Sequence, residues 1–409
     1  MTINAGRLWD RLMELGEIGI GESGGVTRFS FTQEERRAKD LVARYMKEAG
    51  LAVREDAAGN LIGRREGTDS RAPVVLTGSH IDTVPDGGKF DGALGVVAAI
   101  EAVQAMEEQG MATVHPIEVV AFTDEEGSRF GFGMLGSRAM AGTLRPEDLE
   151  HKDADRISIA EAMRSAGLQP ERLHEAAKAP EQVKAYVELH IEQGKVLEHR
   201  DQPVGLVTGI AGPLWQQITI TGQAGHAGAT PMNIRKDPMQ AAAEMLNYIY
   251  TETRKFPNAV ATVGKFRMLP GGINVIPSQV QFSLDLRDIE ESDRDVLEAR
   301  IRNYASKVCR KHRTELAIEL LQRVAPAPSS PEVKEAIAVA GQLAGLSDLP
   351  ELASGAGHDG MQFSEKWPLG MIFVRSRDGI SHHPEEWSSE ADCGLGAQVL
   401  YHTLLQLAQ

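Results

Sequence analysis

Cysteine is nearly absent from this sequence: among its 409 residues only Cys309 and Cys393 carry a thiol. The two show no metal-type spacing, which excludes a thiolate metal site and fits a reducing compartment. Residues 1–15 resemble a helix with charges at Arg7 and Asp10, and they lack the apolar core of a signal peptide. We therefore expect a cytoplasmic protein.

Long apolar runs and excess positive charge are also lacking. No uninterrupted apolar run approaches the roughly 18 residues of a membrane span. The 43 Lys and Arg residues are outnumbered by 58 Asp and Glu residues, so the formal net charge is −15. Because this charge disfavours nucleic acid and anionic membranes, we expect neither as a partner. A small neutral or zwitterionic substrate, or a cation, suits the chain better.

Apolar strands alternate with helices along much of the chain. The composition, 42% hydrophobic and 25% charged, is that of a soluble globular protein. The length predicts two or three domains of about 100 to 200 residues each. Wholly apolar strands are predicted at 74–76 and 117–122, with a helix over 92–109 between them. This alternation indicates an α/β fold with a mostly parallel sheet covered on both faces.

The pattern changes near residue 209. Strands and helices then follow in the order β-α-β-β-α-β, at residues 217–221, 237–254, 259–266, 280–286, 292–310 and 316–321. This order predicts an α+β two-layer sandwich. The proline-containing stretch 324–328 reads as a linker that leaves it. We therefore predict one larger domain formed by residues 1–208 and 326–409, and one inserted domain formed by residues 209–325.

Chemically active residues follow the ends of the predicted strands. Glu125 and Glu126 come after the strand at 117–122, and His80 with Asp82 comes after the strand at 74–76. In parallel sheets this end of the strands is where ligands bind. One carboxylate of a pair can hold a metal ion while the other takes a proton from a metal-bound water. A solvated acidic turn and a turn histidine are the simpler alternatives.

Three more residues extend this set. Asp91 ends a glycine-containing loop before the helix, His190 alternates with Glu188 and Glu192 on the polar face of a strand, and His382 follows the last predicted strand. An ordinary helix N-cap is the alternative for Asp91. Together these side chains are typical of a metal hydrolase, and their N and O donors favour Zn²⁺, Mn²⁺, Co²⁺ or Ni²⁺. Two ions that share Asp91 would lie about 3.5 to 4 Å apart.

The inserted domain carries a second set. His226 lies in a glycine-containing loop, Asn274 follows a glycine pair, and the alternation of residues 280–288 places Asp285 and Arg287 on the open face of a strand. Arg287 is suited to binding a carboxylate through two parallel hydrogen bonds. A surface salt bridge to an acid is the alternative role for Arg287.

These residues stand in motifs that resemble a known family, the amidase branch of the metal-dependent aminoacylase and carboxypeptidase superfamily. The likeness runs from the first helix to the end of the chain. The segments on which the likeness rests are residues 78–84, 88–92, 122–127, 188–194, 225–231, 271–277 and 354–359. The segment Glu-Leu-His-Ile-Glu-Gln-Gly around His190 is the one that marks the amidase branch.

The resemblance implies two divalent ions per subunit and a role for each matching residue. Its metal ligands are His80, Asp91 as the bridge, Glu126, His190 and His382. Glu125 would be the general base, and Asp82 would support His80. The family has one His after the Ser, whereas this sequence has His382 and His383; we assign His382 and expect His383 to point away.

The resemblance also implies how substrate is held. His226, Asn274 and Arg287 would lie on a lid that forms a homodimer and reach the substrate in the partner's site. Gln193 and Gly357 would be further substrate contacts.

The implied activity is hydrolysis of an N-carbamoyl-L-amino acid to the L-amino acid, ammonia and carbon dioxide. Allantoate amidohydrolase and β-ureidopropionase stay open as alternatives, because both use the same chemistry on a ureido acid. A metallo-exopeptidase is less favoured because of the His190 segment. A non-catalytic metal-binding protein is disfavoured by the intact Glu125.

Overall fold

The computed structural model describes residues 2–409, which form two compact units. One unit combines the chain up to Gly209 with Pro328–Gln409, and the other is formed by Ile210–Ala327. The second unit is therefore inserted into the first. None of the helices within residues 2–409 is long and apolar enough to cross a membrane.

The regular elements are numbered along the chain. The strands are β1 (Ala52–Glu55), β2 (Leu61–Arg65), β3 (Val74–His80), β4 (Ile117–Phe122), β5 (Val183–Ile191), β6 (Val204–Ile210), β7 (Gly212–Thr221), β8 (Gly225–His226), β9 (Val260–Thr262), β10 (Phe266–Leu269), β11 (Val275–Ile276), β12 (Gln279–Asp288), β13 (Glu315–Arg323), β14 (Ala327–Pro328), β15 (Glu351–Ser354) and β16 (Leu369–Val374). The helices are α1 (Ala5–Gly16), α2 (Gln33–Glu48), α3 (Ala93–Glu108), α4 (Leu135–Ala141), α5 (Ile159–Ser165), α6 (Val196–His199), α7 (Pro238–Thr253), α8 (Glu291–His312), α9 (Pro331–Leu343) and α10 (Glu390–Leu407).

The larger unit is built on one mixed sheet with the strand order β1-β2-β4-β3-β5-β16-β6-β14, in which β15 also pairs with β6. Its four middle strands, β4, β3, β5 and β16, run parallel to one another. The register sets His80 opposite Phe122 and His190 opposite Phe373. The carboxyl ends of the middle strands therefore meet at one edge of the sheet, which confirms the predicted mostly parallel sheet.

Burial explains the apolar runs of the middle strands. β3, β4 and β16 are buried along their whole lengths, and α3 is apolar all round because it is buried on almost every side. α1, α9 and α10 complete the same core. A smaller cluster lies under the segment after β4, where Phe130 and Leu135 pack with Ile159 and Met163.

The inserted unit is a separate α+β sandwich. Its antiparallel sheet has the order β10-β12-β7-β13, with β9 also paired to β12. α7 and α8 pack on it, and Val280, Phe282, Leu284 and Leu286 of β12 are buried in this core as their alternation predicts. The strand predicted at 259–266 is wrong in extent.

That stretch forms two strands, β9 and β10, with a break at Gly264. Beside the break, the Lys265 N–H donates to the Ser283 side-chain oxygen at 3.0 Å. The Ser283 N–H donates in turn to the Lys265 carbonyl at 3.0 Å, and Gly264 has no side chain to pack on the sheet face. The break therefore separates β9 from β10.

Candidate metal centre

His80 is the last residue of β3, the strand that lies between β4 and β5, and its imidazole is buried. Its Nε2 lies 3.6 Å from Asp91 Oδ1 and 3.6 Å from Glu125 Oε2. Its Nδ1 lies 3.1 Å from the backbone carbonyl of Asp82 but 3.6 Å from the Asp82 carboxylate. The Asp82 carbonyl is therefore the acceptor that orients the His80 ring. The Asp82 carboxylate, which was expected to support His80, has a different role.

The Asp82 carboxylate holds the turn that carries the acidic pair. Its two oxygens accept the backbone N–H groups of Glu125 at 3.2 Å and of Glu126 at 3.1 Å. Asp124, the residue before the pair, has a left-handed φ of 55°, which Asp tolerates better than most residues. Glu125 is only 9% exposed. The alternative of a solvated turn is therefore wrong.

Asp91 lies where three histidines converge. Its Oδ1 is 3.0 Å from His190 Nε2, and its Oδ2 is 3.2 Å from His382 Nε2. The N-cap of α3 is Gly92, without a side-chain cap bond, so the alternative of a helix cap for Asp91 is wrong. A Cβ on Gly92 would lie 2.5 Å from atoms of the His80 ring. Only glycine lets the loop come this close.

His190 and His382 reach the site from different elements. His190 lies in the middle of the sheet on β5 and is buried; its Nδ1 lies 2.9 Å from the Ile191 carbonyl, which leaves Nε2 facing Asp91. His382 lies in the loop after β16 with its side chain 49% exposed, and its Nε2 is 3.6 Å from Glu126 Oε1. His383 is exposed, and its Nδ1 accepts the Glu385 N–H at 3.2 Å.

The five predicted ligands form two groups that share one residue. Donor atoms of His80, Asp91 and His190 lie within 4.8 Å of one another, and so do donor atoms of Asp91, Glu126 and His382. Asp91 belongs to both groups. A third group, His80 with Glu125 and Glu126, overlaps the first two.

The pKa values of this cluster indicate that it lacks positive charge. Burial raises the pKa of the Glu125 carboxyl well above its usual range; His80 opposes this shift, and Asp359 and Glu126 add to it. Burial and then the Asp91 charge raise the pKa of Glu126 to about 7. The hydrogen bond with Asp91 raises the pKa of His382 to about 9.

Positive side chains from outside do not neutralise the cluster. In the part of the larger unit that the structure describes, Asp91, Glu125 and Glu126 form ion pairs with histidines and with no Lys or Arg. Burial raises the pKa of Asp91, but its bonds to His190, His382 and His80 outweigh burial and hold that pKa well below its usual range. Divalent cations therefore fit the donor set, since they supply the missing charge to N and O ligands.

Two buried residues that the sequence analysis did not single out hold the ligand loops. The Arg28 guanidinium donates to the carbonyls of Ile81 and Ile18, and the Arg28 N–H donates to Thr83 Oγ1 at 2.9 Å. Burial lowers the pKa of Arg28 to about 10, so it stays charged at neutral pH. No local pattern marks an arginine of this kind.

Glu386 is the second of these residues. One of its oxygens accepts the backbone N–H groups of Phe90 and Asp91, both at 3.0 Å, and the other accepts the Ser381 hydroxyl at 2.8 Å. Glu386 thus ties the Asp91 loop to the His382 loop. Its position four residues after His382 is the signal that could have found it.

Two further buried residues lie behind the sheet edge. The His358 ring is 4.5 Å from the His190 ring, and its Nε2 lies 2.8 Å from the Ser354 hydroxyl. Asp359 is fully buried, and neither carboxylate oxygen has a hydrogen-bond partner. Burial and the neighbouring Glu188 raise the pKa of Asp359 well above its usual range. Asp359 therefore adds to the acidic surroundings of Glu125.

The predicted substrate contacts of the larger unit lie near the ligands. The Gln193 side-chain nitrogen lies 2.8 Å from Asp91 Oδ2, whereas its side-chain oxygen is buried without a partner. Gly357 is exposed in the turn between β15 and a short 3-10 helix that starts at Asp359.

Residues of the inserted unit form a separate group. β8 and β11 pair so that His226 faces Val275, and the Ala227 N–H donates to the Asn274 carbonyl at 2.9 Å. His226 Nδ1 accepts the N–H groups of Gly228 at 3.1 Å and Ala229 at 3.2 Å. Since Nδ1 is an acceptor, the neutral ring carries its proton on the exposed Nε2 and can donate it.

Arg287 is paired within its own strand. Arg287 Nη2 lies 2.9 Å from Asp285 Oδ2, and Arg287 Nε lies 3.0 Å from Asp285 Oδ1. The alternative of a surface salt bridge is therefore present in the structure. Both residues lie on the face of β12 opposite the core, as their alternation predicts.

Known proteins share this arrangement of sequence and fold. Residues 76–406 match the model of peptidase family M20/M25/M40. Over 407 residues the chain is 60% identical to an N-carbamoyl-L-amino acid amidohydrolase of Geobacillus stearothermophilus, covering 100% of this chain and 99% of that protein. It is 36% identical to an allantoate amidohydrolase of Bacillus subtilis, covering 98% and 97%.

A solved structure agrees with these sequences. The hydantoinase/carbamoylase family amidase from Burkholderia multivorans superposes with a TM-score of 0.93 at 36% identity, covering 99% of this chain and 98% of that one. The resemblance inferred from the motifs is thereby confirmed.

Proposed function

The chain belongs to peptidase family M20/M25/M40, and on that premise we propose that it is an amidohydrolase that removes the carbamoyl group of N-carbamoyl-L-amino acids. The products are the L-amino acid, ammonia and carbon dioxide. The observation that carries the proposal is the position of Asp91 in both ligand groups, with Glu125 beside them. The 60% identical relative supports the choice of substrate.

Two ions from the set Mn²⁺, Co²⁺, Ni²⁺ and Zn²⁺ would be held at this centre. His80, Asp91 and His190 would hold one, and Asp91, Glu126 and His382 the other. When bound, such ions polarise the ureido carbonyl and lower the pKa of water at the site.

Glu125 handles the proton. Its carboxylate takes a proton from the attacking water, whose oxygen bonds to the carbamoyl carbon. The same carboxyl then delivers the proton to the departing nitrogen, so that the C–N bond breaks and ammonia leaves. The remaining carbamate loses carbon dioxide and gives the free amino acid. Burial raises the pKa of the Glu125 carboxyl, and this suits the role because a more basic carboxylate takes a proton from water more readily.

Residues 209–325 would act as lid and dimerisation domain of a cytoplasmic homodimer. His226 would donate its Nε2 proton to the developing oxyanion, and its bonds to Gly228 and Ala229 support that tautomer. Arg287 would exchange Asp285 for the carboxylate of the substrate. Asn274, Gln193 and Gly357 would complete the contacts. Of these contact residues, His226, Asn274 and Arg287 would come from the partner subunit.

Allantoate amidohydrolase is the second candidate, and the 36% identical Bacillus subtilis relative favours it. Ammonia release from N-carbamoyl-L-methionine, its D enantiomer and allantoate separates the candidates. The enzyme is first stripped with a chelator and then supplied with Mn²⁺ or Co²⁺. We expect activity to disappear and return, with the L enantiomer fastest. Full activity in protein proven free of metal would contradict the proposal.

A further inference from the structure

Met134 lies directly beside the acidic pair. Its backbone N–H donates to the Glu125 carbonyl at 2.9 Å, and its backbone is left-handed, with φ 59° and ψ 33°. A Cβ on the preceding Gly133 would lie 2.3 Å from the same carbonyl oxygen, so only glycine fits at this position. This turn fixes Met134 against the proposed general base, and its side chain is partly exposed.

Met361 lies close to His358, whose ring contacts the His190 ring. It lies in the short 3-10 helix that starts at Asp359, and its N–H donates to the His358 carbonyl at 3.0 Å. The preceding residue, Gly360, donates its N–H to Glu188 Oε2 at 3.4 Å. Met361 is also partly exposed, so neither methionine is core filling.

The two methionines meet at Gly357. A Cβ on Gly357 would lie 2.9 Å from Met134 Cε and 3.6 Å from Met361 Sδ. The Gln362 side-chain N–H donates to Met134 Sδ at 3.1 Å. We call Met134, Gly357 and Met361 the methionine wall. It offers thioether and methyl groups, with an exposed glycine between them.

The chemistry of this wall favours one kind of substrate. Methionine side chains are flexible and polarizable, so they adapt to apolar groups of varied shape. A second ureido group, as in allantoate, carries donors and an acceptor that lose water when buried and need partners in return. The two methionine side chains of the wall supply only weak thioether acceptors and no donor.

We infer that the methionine wall receives the α side chain of the substrate and selects N-carbamoyl-L-amino acids with apolar side chains over allantoate. This inference rests on the proposed function. It assigns Met134 and Met361 as specificity residues of the same site.

The test compares substrates with and without a side chain. In Met134→Gln and Met361→Gln, a polar side chain of similar length replaces each thioether. We expect the ratio of kcat/KM for N-carbamoyl-L-methionine to that for N-carbamoylglycine to fall about 10-fold in each variant. Met134→Leu and Met361→Leu, which stay apolar, should keep most of the ratio. Met111→Gln is the matched control, because Met111 is exposed beyond the far end of α3 and should leave the ratio unchanged.

Each other outcome has a distinct meaning. A ratio within twofold of the wild-type value in both Gln variants, measured on folded and active protein, overturns the inference while leaving the proposed function intact. Faster hydrolysis of allantoate than of N-carbamoyl-L-methionine by the wild-type enzyme also overturns it. If the metal-loaded wild-type enzyme hydrolyses no ureido acid, the proposed function fails and the inference with it.

Discussion

The metal centre of the larger unit and the His226 loop of the inserted unit are built in opposite ways. At the candidate metal centre most predicted ligands lie at the ends of buried strands or in loops held by buried residues such as Asp82 and Glu386. In the loop, His226 and Asn274 are exposed and fixed mainly by a two-residue strand pair. The candidate metal centre is preorganised for ion binding. The His226 loop instead carries exposed groups that can bind a substrate only when a substrate or another surface lies against them. This difference fits proton transfer and ion binding in one unit and substrate closure in the other.

The largest effect is expected for Glu125→Gln. The amide keeps the shape of the side chain but cannot take a proton, so kcat should fall about 10³-fold while bound metal stays the same. Ammonia release and metal analysis measure both. Glu335→Gln on the exposed side of α9 is the control. Unaltered kcat would remove Glu125 from the proposed role, and lost metal would make it a ligand.

His226→Ala tests the other side of the comparison. Loss of an oxyanion donor should lower kcat about 10²-fold without changing metal content, because His226 belongs to neither ligand group. His199→Ala, an exposed histidine of the larger unit, is the control. A variant that loses its metal would show that the two units do not divide the work in this way.

Arg28→Lys asks how rigid the metal centre is. Lysine keeps the charge but loses the planar group that reaches the carbonyls of Ile81 and Ile18. We expect the affinity for Co²⁺ to weaken about 10-fold, as for residues behind metal ligands. Titration of stripped protein, followed by the Co²⁺ absorption bands, measures it, and Arg44→Lys on the surface is the control. Equal affinities would show that Arg28 does not position the ligand loop.

Mixing two weakly active variants tests whether the inserted unit acts across the proposed dimer. In a hybrid of Glu125→Gln and His226→Ala subunits, one site regains both an intact Glu125 and an intact His226 if the lid reaches the partner. Since half of the dimers are hybrids with one such site, about a quarter of the wild-type activity should return. If His226 serves its own subunit, mixing restores nothing.

The smallest effect is the pH dependence of metal-free stability. Burial raises the pKa of Glu126 from 4.5 to about 7, and the hydrogen bond with Asp91 raises the pKa of His382 from 6.5 to about 9. In both windows the folded protein binds more protons than the unfolded chain, so stability falls as pH rises from 5 to 9. We expect Tm of stripped protein to drop by about 5 °C over this range. Metal-loaded protein should change less, because bound cations displace these protons.

The histidine pair provides the control for this pH effect. His382→Ala should reduce the slope of Tm against pH and lower bound metal, whereas His383→Ala should leave both unchanged, because His383 lies outside the cluster. The reverse result would exchange the two assignments.

Much of the fold follows from short patterns in the sequence. The apolar run at 117–122 is β4, and the predicted helix over 92–109 is α3 within a residue at each end. The strand at 259–266 was predicted too long, because alternation does not show where a ladder ends at Gly264. The two-residue strands β8 and β11, which hold His226, carry no periodicity that a sequence pattern could reveal.

Residue types, their place after apolar strands and the resemblance were enough to predict His80, Asp91, Glu126, His190 and His382 as candidate ligands, since all three are properties of the chain. Only the folded structure decides which groups support them. Asp82 holds the acidic turn by its carboxylate and His80 by its carbonyl. Both contacts form only because β3 and β4 end at the same edge of the sheet. The same holds for Arg28, Glu386 and the contact of Met134 with Gly357. Such contacts join residues far apart in the chain, and local sequence cannot encode their distances because packing of the whole core sets them.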